Sequence, residues 1–204
     1  MSMKQYNPTK DRILRAAAQM FSERGYDKVT TREIAKAIGI NSASIYYHFT
    51  SKEEILRSLY RMYTEERRKQ APDISELLRL AESEPPHALL RKSEFHCGEE
   101  IREILEQILS TATCMICADP ESENFIKENV FDPISNTLKP LLQQLITLNK
   151  IEPVDINTFV GLLSYYCFSS AALNNTTFRQ SIAEYQATMT YLFSMITAKE
   201  DTVA

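Results

Sequence analysis

Thr30–Lys52 reads TTREIAKAIGINSASIYYHFTSK, and this stretch decides the fold. Thr30 is a good N-cap, and Glu33 three residues later completes a capping box in which each residue satisfies a free backbone amide of the other. Ile34, Ala35 and Ile38 follow at helical spacing and make one apolar face. Gly39 stops that helix, because a C-terminal cap commonly needs the left-handed conformation that glycine adopts at no steric cost. Asn41 caps a second helix from Ser42 to about Tyr47, and Ser51 with Glu54 opens a third. Three starts and one glycine stop in so short a span are the grammar of a helix-turn-helix.

Side-chain sizes agree. Ala35 is small where two helices must cross, and Ile40 and Ile45 supply an apolar wedge. Asn41, Ser42, Ala43, Ser44, Tyr46 and Tyr47 remain on the outer face of the second helix. Small and hydrogen-bonding groups suit a helix that enters a groove roughly 12 Å wide and touches base edges. Ser42, Ala43, Ser44 and Tyr46 are therefore the candidates for base-edge or thymine-methyl contact. Thr30, Thr31 and Arg32 stand at the N-terminus of the first helix, where free amides and the helix dipole favour an anion, and Thr31 and Arg32 are assigned to the phosphate backbone.

The residues around this core resemble a known family. Ile13 to about Leu59 is similar to the N-terminal DNA-binding domain of TetR-family transcriptional regulators. The matching pieces are Phe21, Gly25 and Tyr26; Thr31, Arg32, Ile34 and Ala35; Ala37, Gly39 and Ile40; and Tyr46, Tyr47, His48, Phe49, Lys52, Glu53 or Glu54, and Leu56. The resemblance implies that Tyr47, His48 and Lys52 clamp phosphates. It covers about a quarter of the chain; the remainder matches in length and helical character. Phe49 and Ile45 are assigned to the core, and no carboxylate or cysteine stands at ligand spacing beside His48 to make it a metal ligand or catalytic base.

The chain has 204 residues, 44% of them hydrophobic, which is enough for a small domain and a larger one with a real core. Four glycines and no strand-like alternation predict an all-helical protein. No run of 18 apolar residues and no signal peptide are found, so a soluble, cytoplasmic protein without membrane contact is expected. Charge is split unevenly. Residues 1–70 carry 14 Lys+Arg against 8 Asp+Glu, and residues 71–204 carry 9 against 19. A basic front can approach phosphates that an acidic rear would repel.

The expected organisation is a helix-turn-helix domain over 1–52, a connecting helix over 53–70, and a helical domain for ligand binding and dimerisation over 71–204. Helix 1 is expected from about Thr9 to Arg24 with Ile13, Leu14, Ala17, Met20 and Phe21 inward. The connecting helix runs from about Lys52 to Lys69, and Pro72 follows its charged end. Further helices are expected over about 74–81, 88–95 and 99–118, and Asp119-Pro120 caps another. Pro133 and Pro140 break or kink the stretch through Leu148. Two apolar helices close the chain, at about Pro153–Leu173 and Phe178–Ala198.

The resemblance implies that those last two helices pair with a second copy in a homodimer. A twofold dimer on a palindromic operator also suits a short recognition helix, which alone reads few base pairs. The family expectation of a ligand pocket in the middle helices falls on Phe95, His96, Met115, Phe125, Phe131, Tyr165 and Phe168, a mixture suited to a moderately hydrophobic small molecule. Cys114-Met-Ile-Cys117 has the spacing of a redox pair or half a zinc site. It lies among apolar residues with no second pair, so inert buried core is expected, and no cofactor or metal. The reading is a double-stranded-DNA-binding repressor released by an inducer, not an enzyme. The competing readings are a DNA-bound interaction factor without a ligand and an enzyme built on the cysteine pair.

Overall fold

The computed structural model describes residues 7–93, 98–172 and 191. All regular structure among the described residues is helical. Two compact units divide the chain: Met1–Glu66 with Gly98–Phe125, and Arg67–Cys97 with Ile126–Ala204. The split is not linear, because Gly98–Phe125 returns to the first unit. That segment carries seven acidic residues and one basic one, so the charge division at residue 70 does not coincide with the units.

The first unit begins with α1, Pro8–Arg24. Asn7 caps it by accepting from the Lys10 amide at 3.0 Å, and the proline sits at the first turn, where a missing N–H costs nothing. Ile13, Leu14, Ala17, Ala18 and Phe21 are buried, while Met20 is only half-buried. Gly25 ends the helix at φ 85°, ψ 141°, a conformation essentially reserved for glycine. A 3-10 turn at Tyr26–Lys28 leads to α2, Thr31–Ala37, and α3, Ser42–His48. α4 spans Lys52–Lys69. The Ser51 hydroxyl accepts the Glu54 amide at 3.2 Å, but the Glu54 carboxylate reaches back to Thr50 rather than to Ser51.

α7, Glu99–Met115, packs against α1 with Ile104, Leu105, Ile108, Leu109 and Ala112 buried. α8, Pro120–Ile126, is capped by Asp119, whose carboxylate accepts from the Ser122 amide at 3.0 Å and the Ser122 hydroxyl at 2.6 Å. Ser122 also meets the Tyr60 hydroxyl at 2.7 Å, and Glu121 pairs with Arg57 at 2.9 Å. Burial pushes the Tyr60 hydroxyl up to about 12, against the Ser122 hydrogen bond. Phe125 is buried, stacked on Tyr60 at 4.1 Å and edge-on to Tyr63 at 5.1 Å.

The second unit contains α5, Ile74–Leu80, and α6, Pro86–Ser93; a π turn at Lys127–Phe131 precedes α9, Asp132–Thr147, and α10 spans Ile156–Ala172. Its core joins Leu77, Leu89, Leu90, Leu141, Leu142, Leu145, Ile151, Val160 and Leu163. Pro133 falls in the first turn of α9 and breaks nothing. Pro140 lies inside α9, which nevertheless continues to Thr147 because Leu138, Leu141, Leu142 and Leu145 anchor both sides of it. The Lys150 ammonium donates to the Glu82 and Glu84 carbonyls at 2.8 and 3.0 Å, tying the α5–α6 turn to the end of α9. No helix of the described residues is long and apolar enough to cross a membrane. The expected closing helix at Phe178–Ala198 lies outside the described residues, Tyr191 aside.

Candidate nucleic-acid interface

α2 and α3 are seven residues each, too short to persist alone, so their ends are fixed by caps and their inner faces by the core. Both arms of the Thr30–Glu33 capping box form: Thr30 Oγ1 accepts the Glu33 amide at 3.3 Å, and the Glu33 carboxylate accepts the Thr30 amide at 2.9 Å. The Arg24 guanidinium at 2.6 Å, then the Thr30 hydroxyl and amide, hold the Glu33 carboxyl down at about 2. Glu33 is therefore depressed from 4.5, so its contribution is complete above pH 4.5 and disappears only as the pH falls through about 2. A carbon-13 titration of the Glu33 carboxyl should show that midpoint, and Arg24→Ala should move it upward.

The turn between the helices is closed by two backbone bonds, Gly39 to Lys36 at 3.2 Å and Ile40 to Ala35 at 3.0 Å. That pair is a Schellman motif, and it requires the φ of 70° at Gly39. A β-carbon there would meet nothing within 4 Å, so the only obstacle is the backbone conformation itself. Gly39→Ala is expected to cost about 1–2 kcal/mol, measured by urea unfolding, and Gly39→Asn less. The Arg12 guanidinium donates to the Ile38 carbonyl at 2.5 Å and pins the same turn to α1.

On α3 only Ile45 is buried. Asn41 Oδ1 accepts from the Ser44 amide at 2.8 Å and the Ser44 hydroxyl at 2.9 Å. Asn41 and Ala43 are exposed, and Ser42 and Ser44 are half-buried. Tyr46 is 57% exposed and its hydroxyl lies 3.2 Å from the Thr31 hydroxyl, so the two helices are joined on their outer side. Tyr47 is 85% exposed and stands edge-on to the His48 ring at 5.0 Å. Phe49, next along, is buried. Arg32, Lys36 and Lys28 are exposed cations on the same motif. Several of the sequence-derived residues are engaged within the protein, Asn41 among them as the cap of α3. Thr30 uses its side chain in the cap. Lys52 turns inward: its ammonium donates to the Tyr26 carbonyl at 3.1 Å and the Val29 carbonyl at 3.2 Å, and lies 4.1 Å from the Tyr26 ring centre. Its expected phosphate role competes with that latch. Arg12 was not among the expected residues; its partner is 26 residues away, and no local pattern signals it.

The residues expected to line a ligand pocket belong to both units, and two of them lie outside the described residues. Phe95 and His96 lie outside the described residues. Met115 and Phe125 belong to the first unit, and Phe125 fills the aromatic core with Tyr60 and Tyr63. Phe131, Tyr165 and Phe168 do meet in the second unit, with ring centres 5.5 and 5.6 Å from Phe131, although Tyr165 is 67% exposed. Cys114 and Cys117 are exposed free thiols, not the buried core expected of them. The helix ends at Met115, so the apolar run around them is not a buried helix face. Among the described residues no group of three or more acidic, histidine or cysteine side chains could hold a metal.

A capped helix-turn-helix with an exposed polar and aromatic second helix has the form of a motif that presents a helix to a DNA groove. Comparison with known proteins narrows this. Residues 13–59 match the family model described as bacterial regulatory proteins, tetR family. The biofilm operon icaADBC HTH-type negative transcriptional regulator IcaR of Staphylococcus epidermidis is 50% identical over 48 residues, 24% of this chain and 26% of that protein. The Staphylococcus aureus IcaR is 52% identical over 46 residues, 22% of this chain and 25% of that protein. The chain therefore spans about a quarter of the length of the curated relatives it matches.

Solved structures share the fold over nearly the whole chain. The ketosteroid transcriptional regulator KstR2 of Mycobacterium tuberculosis has a TM-score of 0.56 at 22% identity, covering 95% of this chain and 97% of that one. A transcriptional regulator from Saccharomonospora viridis, solved with choline, has a TM-score of 0.58 at 19% identity, covering 95% and 96%. Residues 13–59 thus match the DNA-binding region of the tetR family, and the fold of nearly the whole chain is shared with solved transcriptional regulators.

Proposed function

We propose that this protein is a transcriptional regulator, a homodimeric repressor that sits on a palindromic operator and leaves it when a small molecule binds. The observation that carries the reading is α3: seven residues, one buried, with Tyr46 and Tyr47 exposed far beyond what a folding role requires. Ser42, Ala43, Ser44 and Tyr46 read base edges; Thr31, Arg32, Tyr47 and His48 hold phosphates. A helix this short reads a few base pairs, so specificity needs two copies on two half-sites about one helical turn apart. Leu162 and Tyr165, 65% and 67% exposed on α10, supply apolar surface for the second copy. The aromatic group of Phe131, Tyr165 and Phe168 offers a moderately hydrophobic ligand a place to stack. A fold neighbour solved with choline and another named for ketosteroids support a small-molecule effector, and the IcaR relatives support negative regulation.

Selection of duplexes from a random pool by the purified protein tests this. The expected product is an inverted repeat bound roughly a thousandfold or more tighter than random DNA. Equal affinity for the two in a competition titration would overturn the proposal. Tyr47→Ala is expected to weaken all duplexes about tenfold while leaving the melting temperature unchanged, because the ring is 85% exposed. Ser44→Ala should instead relax base preference at one position per half-site, read by repeating the selection.

A further inference from the structure

Cys114 and Cys117 are two exposed free thiols three residues apart, at the end of α7 and in the turn beyond it. The backbone between them stays wound. Ile116 has helical angles of φ −54° and ψ −35°, its amide donates to the Thr113 carbonyl at 3.4 Å, and the Ala118 and Asp119 amides both donate to the Met115 carbonyl at 2.9 Å. Three residues of helical winding place two α-carbons about 5 Å apart on one side of the chain, inside the span a disulfide bridges.

Beyond this turn, α8 is tied to the helix that continues from the recognition helix. Asp119 caps α8, Ser122 of α8 meets Tyr60 at 2.7 Å, and Glu121 pairs with Arg57 at 2.9 Å. Both Arg57 and Tyr60 lie on α4, which begins four residues after α3 ends. We propose that Cys114 and Cys117 form a reversible dithiol–disulfide switch, oxidised by a hydroperoxide, that alters α8 and its hold on α4. One thiolate attacks the peroxide oxygen, releasing an alcohol or water and leaving a sulfenic acid. The second thiol displaces that hydroxyl as water and closes the S–S bond. The cysteines lose two electrons and two protons, and the peroxide O–O bond is reduced. The consequence for DNA affinity rests on the regulator reading above.

The test uses the full chain with Cys97→Ser and Cys167→Ser, leaving two of its four cysteines, and hydrogen peroxide as the oxidant. The expected product has lost two hydrogens by intact mass, with Cys114 joined to Cys117 in peptide mapping. Amide exchange over Arg57–Tyr60 and Pro120–Phe125 is expected to change by roughly fivefold or more, to revert with dithiothreitol, and not to occur in Cys114→Ser. The same mapping and exchange on the unaltered chain cover the event that the double variant misfolds. Thiols that stay separately alkylatable, or that over-oxidise singly, overturn the proposal, as does a disulfide that leaves α4 exchange unmoved. A protein that closes the disulfide and shifts α4, yet retains no DNA in either state, would sink the regulator reading and leave the switch standing.

Discussion

Phe125→Ala is expected to destabilise the protein by about 3–5 kcal/mol, more than any other substitution proposed for this chain. The ring is 5% exposed, parallel to Tyr60 with an 11° interplanar angle, and edge-on to Tyr63. Two aromatic pairs add roughly 0.5–1.5 kcal/mol each to the burial. Truncation leaves a cavity beneath two buried α4 tyrosines, one of them hydrogen-bonded to Ser122. Urea unfolding should show a lower midpoint with an unchanged slope. Phe125→Leu should lose less, since most of the volume remains. The alternative assignment, that Phe125 lines a cavity kept open for an effector, predicts a loss below about 1 kcal/mol, because no packing would be given up.

Lys52→Met should rank second, at about 2–3 kcal/mol, because the methionine keeps the length and apolar stem and the loss isolates the ammonium. Two charge-assisted bonds to the Tyr26 and Val29 carbonyls disappear, together with the contact over the Tyr26 ring. Bonds to a charged donor contribute about 1.5–3 kcal/mol, and the cation–ring contact about 0.5–2, of which the half-exposed setting removes part. DNA affinity should fall only as far as the loosened turn disturbs α2. The slope of affinity against salt decides the role. A phosphate contact at Lys52 predicts a slope reduced by about one; a latch predicts the wild-type slope with a lower melting temperature.

The contrast between Glu33 and Lys52 explains how far the chain could be read in advance. Every partner of the Thr30–Glu33 cap except Arg24 lies within three residues, so residue types and spacing alone specify it. The same holds for Asn41 with Ser44 and for Gly39. The helix-turn-helix was legible because its signals are local. Lys52 is different. Its carbonyl partners are 23 and 26 residues upstream, and a lysine at the family's phosphate-contact position gives no sign of facing inward. The return of Gly98–Phe125 to the first unit was equally hidden, since it depends on pairings such as Arg15 with Glu100, 85 residues apart, and Tyr60 with Ser122, 62 apart. Cys114 and Cys117 misled for another reason. Apolar neighbours suggested a buried face, but the helix stops between the two thiols and the side chains surface.

The brevity of α3 has a practical consequence. A synthetic peptide copying residues 41–49 would be a random coil in water, because seven residues cannot repay the entropy of the first turn. Its tyrosines and serines would then sample many orientations, and it would compete poorly for any duplex. The proposed lettering of α3 therefore has no meaning off its mount: any message would be spelled by a few side chains, but the stiffness that makes it readable is borrowed from Ile13, Phe21, Ile34 and Phe49 beneath.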